Sequence, residues 1–371
     1  MSEATTADGQ VADEPRGQAP TGEEPRGRDN PLRYRPHLDG LRAVAVYLVV
    51  AFHSGLGKFA GGFIGVDIFF VLSGFLVTRI LIRDLGTLRR IRWRQFYSRR
   101  VRRILPAALV TLLVTATVYA AVASPLEKVD AFGGFRAAFL YVANWYFIHQ
   151  ATDYFAANVN TNPVLHFWSL AVEEQFYLLW PLLLGGLYLA TRRLGRARWW
   201  VLRGVVIVAG IASALEALHY GHSHLERAYY GTDTRAYQLL AGAALALTPQ
   251  LLRLGPRVRP AARWFAAGAL IGLVVLGSSA FGFSPITRGV ITVVFASTLI
   301  VALENARRGW AKRMLSSSPF TYLGRISYGT YLWHWPIIVL VTRGHQPLPL
   351  ELFVISAAGA TTLAAISFRL L

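Results

Sequence analysis

The chain has 371 residues, of which 54% are hydrophobic and only 16% charged, with a formal net charge of +18 and no cysteine. Windows of about 17 to 22 apolar residues recur between basic clusters, far longer than soluble strands, so a soluble domain is excluded in favour of a polytopic membrane protein. Lys and Arg sit in short loops between those windows, which suits cytoplasmic loops rather than nucleic acid, and the missing thiols remove disulfides, thiolate metal sites and a cysteine nucleophile.

Residues 1–32 are rich in Gly, Pro, Glu, Thr and Arg, and read as a disordered cytoplasmic tail too polar to be a secretory signal. The remainder, 33–371, reads as one all-α transmembrane bundle of about ten helices. Helix 1 spans about 38–54, and a glycine-rich turn leads to helix 2 at about 63–82. The stretch 83–103 holds nine arginines and is the strongest orientation signal, facing the cytoplasm. Helix 3 follows at about 104–122 and ends at Ser124-Pro125.

Residues 132–148 are apolar and aromatic but broken by Gly133, Gly134, Arg136 and Asn144. A crossing there would turn every later basic cluster outward, so the segment reads as one extra interfacial or re-entrant helix on the outer side. Seven further spans are expected at about 167–190, 201–218, 235–252, 264–281, 286–303, 322–341 and 351–370. Both ends then lie in the cytoplasm. Helices 5 to 8 look plain, so the chemistry is sought in helices 1, 2, 4 and 9. No internal repeat of the transporter kind is visible, and the chain stops at Ser367-Phe-Arg-Leu-Leu371 with no polar tail, which reads as a point where a longer chain continues.

Helix 1 carries Asp39, Arg42 and His53. Eleven residues separate Arg42 from His53, three turns plus roughly 20°, so both share one face about 16 Å apart in depth. Asp39 is spaced to pair with Arg42. Helix 2 places Asp67 in an apolar run, where a carboxylate needs a partner, with Arg42 or His53 the candidates; a plain structural ion pair between helices serves equally well. Helix 4 aligns Ser169, Glu173 and Tyr177 as one stripe, with Glu174 about 100° away and needing its own partner. Helix 9 aligns Ser327, Tyr331 and His334 just before the kink expected at Pro336, either as a polar lining or with a satisfied core histidine. The overlapping pairs Arg99 with Arg102 and Arg100 with Arg103 suit bidentate phosphate binding, or simple anchoring at lipid head groups. His149 with Asp153 is too short a match to the acyltransferase signature His-x-x-x-Asp, and His219, His222 and His224 in a short loop do not make a metal site; no metal is expected.

Together these motifs resemble the membrane acyltransferase family 3, integral membrane O-acyltransferases of extracytoplasmic carbohydrates, over residues 34–371. The resemblance rests on Arg42-x10-His53, Arg100-x-x-Arg103, Ser169-x3-Glu173-x3-Tyr177, Gly65-Val-Asp67, the run Phe69 to Gly74 with Ser73, and Ser327-Tyr-x-x-Tyr331-x-x-His334. It implies acyl transfer in a bacterial plasma membrane from cytoplasmic acyl-CoA, most often acetyl-CoA, to a sugar hydroxyl outside, in some members with an added SGNH-type periplasmic domain. On that reading Arg100 and Arg103, with Arg99 and Arg102, hold CoA phosphates. His53 is general base or transient acyl acceptor, Asp67 or Glu173 orients it, and Arg42 faces the thioester oxygen. The runners-up are a transporter or sugar-lipid flippase using the same stripe as a path, and a membrane O-acyltransferase of another fold; dependence on CoA separates the transporter from an acyltransferase.

Overall fold

A computed structural model describes residues 34–150 and 162–370, and every regular element among them is helical. In chain order these are α1 (Pro36–His53), α2 (Ile64–Leu88), α3 (Trp93–Val122), α4 (Pro125–Phe139), α5 (Ala143–His149), α6 (Phe167–Ala190) and α7 (Arg198–Tyr220), then α8 (Leu225–Tyr230), α9 (Thr232–Leu247), α10 (Arg259–Gly277), α11 (Pro285–Asn305), α12 (Trp310–Leu315), α13 (Ser318–Val341) and α14 (Pro349–Leu370). The expected tail at 1–32 and the Asp153 half of the rejected His149 pair lie outside the described residues.

Each of the ten expected spans coincides with a long helix. Six of the described helices are long and apolar enough to cross a membrane by length and composition, the pattern of a multi-pass membrane protein. The spanning stretches of α3, α7 and α14 turn most of their residues outward, as with Leu113, Val208 and Val354. So much exposed apolar surface would be an aggregation liability in water and is the ordinary coat of a helix in lipid. Among the long helices outside that apolar set, α1, α6, α9 and α13, buried polar side chains include Ser169, Gln238, Ser327 and His334.

Three local expectations change. Most of the arginine run is helix: α2 continues to Leu88 and α3 begins at Trp93, with only 89–92 between them, because Arg is a good helix former and nothing before Pro106 interrupts the turn. The single outer segment is two helices. A capping box at Ser124, whose hydroxyl accepts from Glu127 N while Glu127 takes the Ser124 amide at 2.7 Å, starts α4 early. The chain then turns at Tyr141, which holds a left-handed φ of 54°, before α5. Nor are the expected helices 5 to 8 plain, since α9 and α11 bury Arg235, Gln238, Arg288 and Asn305.

Glycines let the polar helices touch backbone to backbone. A Cβ on Gly74 of α2 would lie 1.8 Å from Leu239 O of α9, and one on Gly242 of α9 would lie 2.0 Å from Val71 O of α2. Gly65 meets Ala45 O of α1, and Gly324 of α13 meets Asp39 O, at comparable distances. Helices this close leave no room for lipid between them.

The helix ends sort into two sets. At one end the turn after α1 meets the turn after α10, through Gly61 N to Gly277 O and Ser279 N to Lys58 O, both 3.1 Å. Arg343, after α13, reaches Glu127 of α4 at 3.0 Å, so α4 begins at this end. At the other end Arg35 binds Glu304 at 2.6 Å, Asn305 holds Leu254 N and Arg203 binds Leu247 O.

Candidate active site

Four of the sequence-expected helices converge as foreseen, but the partners inside differ. His53, the last residue of α1, directs Nδ1 at Nε2 of His334 on α13, 3.0 Å away, with the rings stacked at 5.2 Å. His334 Nδ1 faces the Tyr331 carbonyl of its own helix. Neither Asp67 nor Glu173 is His53's orienting partner as expected; a second imidazole stands in that place. Phe52 and Trp335 pack against His53 at ring distances of 5.1 and 4.8 Å, and Phe63 packs on Phe52. His166, just before α6, lies 5.5 Å from the His334 ring and gives its Nε2 to Leu332 O at 3.0 Å. The sequence reading passed over His166; its signal was a histidine set in an aromatic run.

The helix 4 stripe divides. Glu173 accepts hydrogen bonds from both Tyr177 and Ser73 of α2, and Tyr177 also donates to Ser73 Oγ at 3.0 Å. Ser169 leaves that group and pairs with Tyr331 Oη at 2.6 Å, while Tyr331 also reaches His166 O at 3.2 Å. Glu173 and Tyr177 thus sit about two and three turns along α6 from His166, and Ser169 with Tyr331 bridges the interval. Ser327, expected on the same face of α13, is buried, and its hydroxyl has no hydrogen-bond partner among the described residues. Glu174 lies within the electrostatic reach of Glu173 and Arg100, with Tyr141 and Tyr328 beside it.

The arginine pairs also separate. Arg100 is half-buried, its guanidinium 4.3 Å over the Tyr177 ring and 5.7 Å from Phe96. Arg103 has Arg42 and Arg100 as its charged neighbours, with Asp39 the more distant counterweight. Arg99, Arg102 and Arg103 are all exposed, and Arg102 turns back onto Ser98. The two pairs are offset by one residue, about 100° round α3, so they point to adjacent rather than shared faces. The expected Asp39 to Arg42 pair does not form. Among the described residues Arg42 has no ion pair, its Nε is buried without a hydrogen-bond partner, and its guanidinium lies 5.9 Å from the Phe69 ring. Three guanidinium groups converge here with Asp39 and Glu174 in electrostatic reach but no ion pair among the described residues, an arrangement that suits an anion.

Asp67 is not joined to Arg42 or His53. It pairs with Arg235 of α9, both side chains 0% exposed, and accepts from Gln238 at 3.0 Å. Phe70, Trp168 and Tyr229 enclose the guanidinium, the last at 4.7 Å. Of the two readings of Asp67 this contact is the structural ion pair, and it joins α2 to α9 where α1 had been expected. An arginine inside an apolar window was the available signal for Arg235. No group of acidic and histidine residues able to hold a metal occurs among the described residues.

Comparison with known proteins agrees with the motifs. The family described as "Acyltransferase domain" matches residues 35–369. The peptidoglycan O-acetyltransferase OatA of Listeria monocytogenes is 36% identical over 91% of this chain and 55% of its own length. The putative peptidoglycan O-acetyltransferase YrhL of Bacillus subtilis is 38% identical over 84% of this chain and 49% of its own. The O-acetyltransferase OatA of Staphylococcus aureus is 33% identical over 91% and 56%. The chain therefore spans about half the length of the curated relatives it matches. No solved structure matches. With the family matched across nearly the whole of the helical bundle that holds these residues, the chain belongs to the acyltransferase 3 family.

Proposed function

We propose that this chain is a bacterial membrane O-acyltransferase that moves an acetyl group from acetyl-CoA, entering at the arginine end, to a hydroxyl of a cell-wall carbohydrate waiting at the histidine end. The observation that carries the reading is one helix, α1, which joins a cluster of guanidinium groups without an ion pair among the described residues to a half-buried imidazole stacked on a buried one. The relatives' names supply the acceptor class, peptidoglycan. The donor is inferred from the charge at the arginine end.

The topology proposed with it has ten spans, α1, α2, α3, α6, α7, α9, α10, α11, α13 and α14, with α4 and α5 lying at the outer interface. The arginine-rich turns then face the cytoplasm together with the N-terminus. Arg100 and Arg103 grip the CoA phosphates, and Arg42 joins them. At about 16 Å from His53 along the helix, Arg42 is too far from a thioester at the imidazole to serve as its oxyanion partner. The acyl-pantetheine arm lies between α1, α2 and α6, past Ser73, Glu173 and Tyr177. His53 takes the proton of the acceptor hydroxyl as its oxygen attacks the thioester carbonyl carbon. The C–O bond forms, the C–S bond breaks, and the same proton passes to the leaving thiolate. Acceptor and acetyl-CoA thus give ester and free CoA.

The test is to incubate purified protein in liposomes with labelled acetyl-CoA and peptidoglycan glycan fragments, following label and free CoA together. Ester-linked label on the glycan with stoichiometric CoA release is expected, reduced about 10²- to 10⁴-fold by His53→Ala. Normal transfer by that variant, or acetyl-CoA that neither binds nor turns over, would remove the reading.

A further inference from the structure

Between Ile64 and Phe75 of α2 every residue is buried except Phe69 and Ser73, which keep part of their surface open and stand four residues apart on one face. Ser73 looks onto Glu173 and Tyr177, and Phe69 onto the Arg42 guanidinium, 5.9 Å from its ring. Arg42 and Glu173 are partly open as well, so these side chains outline a cleft that starts at the arginines and runs between α1, α2 and α6. The cleft stops at Phe69. Beyond it Phe167 to Val172 of α6 and Thr330 to Trp335 of α13 are buried, as are Val46, Val49 and Val50 of α1. The Phe69 ring meets Tyr331 edge to face at 6.4 Å, and Tyr331 lies 5.1 Å from the His334 ring, which stacks on His53.

We propose that Phe69 sets which acyl group the site accepts: its ring closes the inner end of the cleft against Tyr331, and an acyl chain must displace it to reach the imidazoles. The inference rests on the acyl-transfer reading above. The two rings differ in freedom. Tyr331 is tied through its hydroxyl to Ser169 at 2.6 Å and to His166 O at 3.2 Å, so moving it breaks hydrogen bonds. Phe69 has no polar tie and has open space on its cleft side. The passage therefore widens only by turning Phe69 back into the cleft, which the pantetheine arm already fills. An acetyl group asks for little of that movement, and each further methylene asks for more; a crowded apolar site can reject a single extra methylene by about 10- to 200-fold. Sequence alone does not tell Phe69 from Phe70. Burial does, since Phe70 packs on Trp168 and Arg235 and is shut away from the cleft.

The test compares acetyl-CoA with propionyl-CoA and butyryl-CoA in the liposome assay. Each preparation is its own reference, so partial unfolding cancels from the ratio of kcat/KM values. The unaltered protein should prefer acetyl to butyryl by at least about 10-fold, Phe69→Ala should cut that preference by about 10-fold or more, and Phe69→Leu should fall between them. Phe70→Leu, on the buried side of α2, should keep the wild-type ratio. Free CoA should compete equally well against every variant, because the arginine end is untouched. If Phe69→Ala does not fold, Phe69→Leu against Phe70→Leu decides the matter. Butyryl taken as readily as acetyl by the unaltered protein, or an unchanged ratio in the folded Phe69 variants, overturns the inference, and so does a shift as large in Phe70→Leu or a matching loss of CoA competition. In each of those cases acetyl transfer by the unaltered protein leaves the acyl-transfer reading standing. No acetyl transfer at all would remove both.

Discussion

Arg235 and Asp67 are the most deeply buried ion pair among the described residues, and they illustrate what a single residue can cost here. Each was taken out of water and is answered by the other, by Gln238 and by three aromatic faces. Removing one partner strands the other, and the penalty for breaking such a pair is about 3–5 kcal/mol. Arg235→Met should therefore lower the thermal midpoint in detergent sharply, and Asp67→Leu added to it should restore part of the loss. A double variant less stable than Arg235→Met alone would show that the pair is not the reason for the instability. At the arginine end, Arg100→Ala with Arg103→Ala should weaken acetyl-CoA binding about 10- to 100-fold, in keeping with one or two lost charge-assisted contacts. Arg99→Ala with Arg102→Ala should change it little, and calorimetry on the two variants would separate them. The spacing of Arg42, His53, Arg100, Arg103, Glu173 and Tyr177 along the chain was enough to find them, because helical period fixes which residues share a face. It could not supply their partners: His334 for His53, Ser73 for Glu173 and Arg235 for Asp67 lie from 100 to 281 positions away.

Between elements, the tightest joint is α2 against α9, where Gly74 and Gly242 leave room for the facing backbone. Gly74→Ala would press a methyl group onto Leu239 O, and the cost of such overpacking is about 1–3 kcal/mol or more. It should loosen the pair that carries Asp67 and Arg235, seen as faster amide exchange in both helices, whereas Gly86→Ala, with open space around it, should not. The cap of α4 gives a second test. The Arg343 guanidinium beside Glu127, together with the Ser124 amide and hydroxyl, holds the carboxyl far below its usual range, at about 2. A depressed carboxyl contributes fully above its unfolded value and loses that contribution only as pH falls through the folded one. Amide exchange over 125–139, corrected for its intrinsic pH dependence, should therefore be as protected at pH 5.5 as at pH 7 and lose protection as pH falls below the unfolded carboxyl value toward 2, and Glu127→Ala should abolish the difference from an uncapped helix. All ten long helices were legible from apolar windows and basic turns. The boundary errors came where a rule had a competitor: Arg83 to Arg103 reads as a loop by charge yet folds by propensity, and the break at Tyr141 needs a left-handed residue that no motif announces.

For the molecule as a whole, the orientation rests on where the basic turns gather, and the natural absence of cysteine makes it directly measurable. A cysteine placed at Arg193 should react with an impermeant maleimide only after the cytoplasmic face is opened, and one at Ser223 should react from outside; reversed patterns would invert the topology. The aromatic packing round His53 has a consequence of another kind. Phe52 and Trp335 close on the imidazole from its flanks, with Phe63 packed behind Phe52, at the end of α1 opposite Arg42, so water reaching the arginines meets rings before it meets the far side. An enzyme that reacts across a bilayer in this manner hands over an acyl group while remaining an insulator. Liposomes containing it should hold an imposed pH gradient as long as empty ones, with or without acetyl-CoA, and a variant such as Trp335→Ala that opens the collar should discharge the gradient. Steady proton conductance by the unaltered protein would instead identify a conduit.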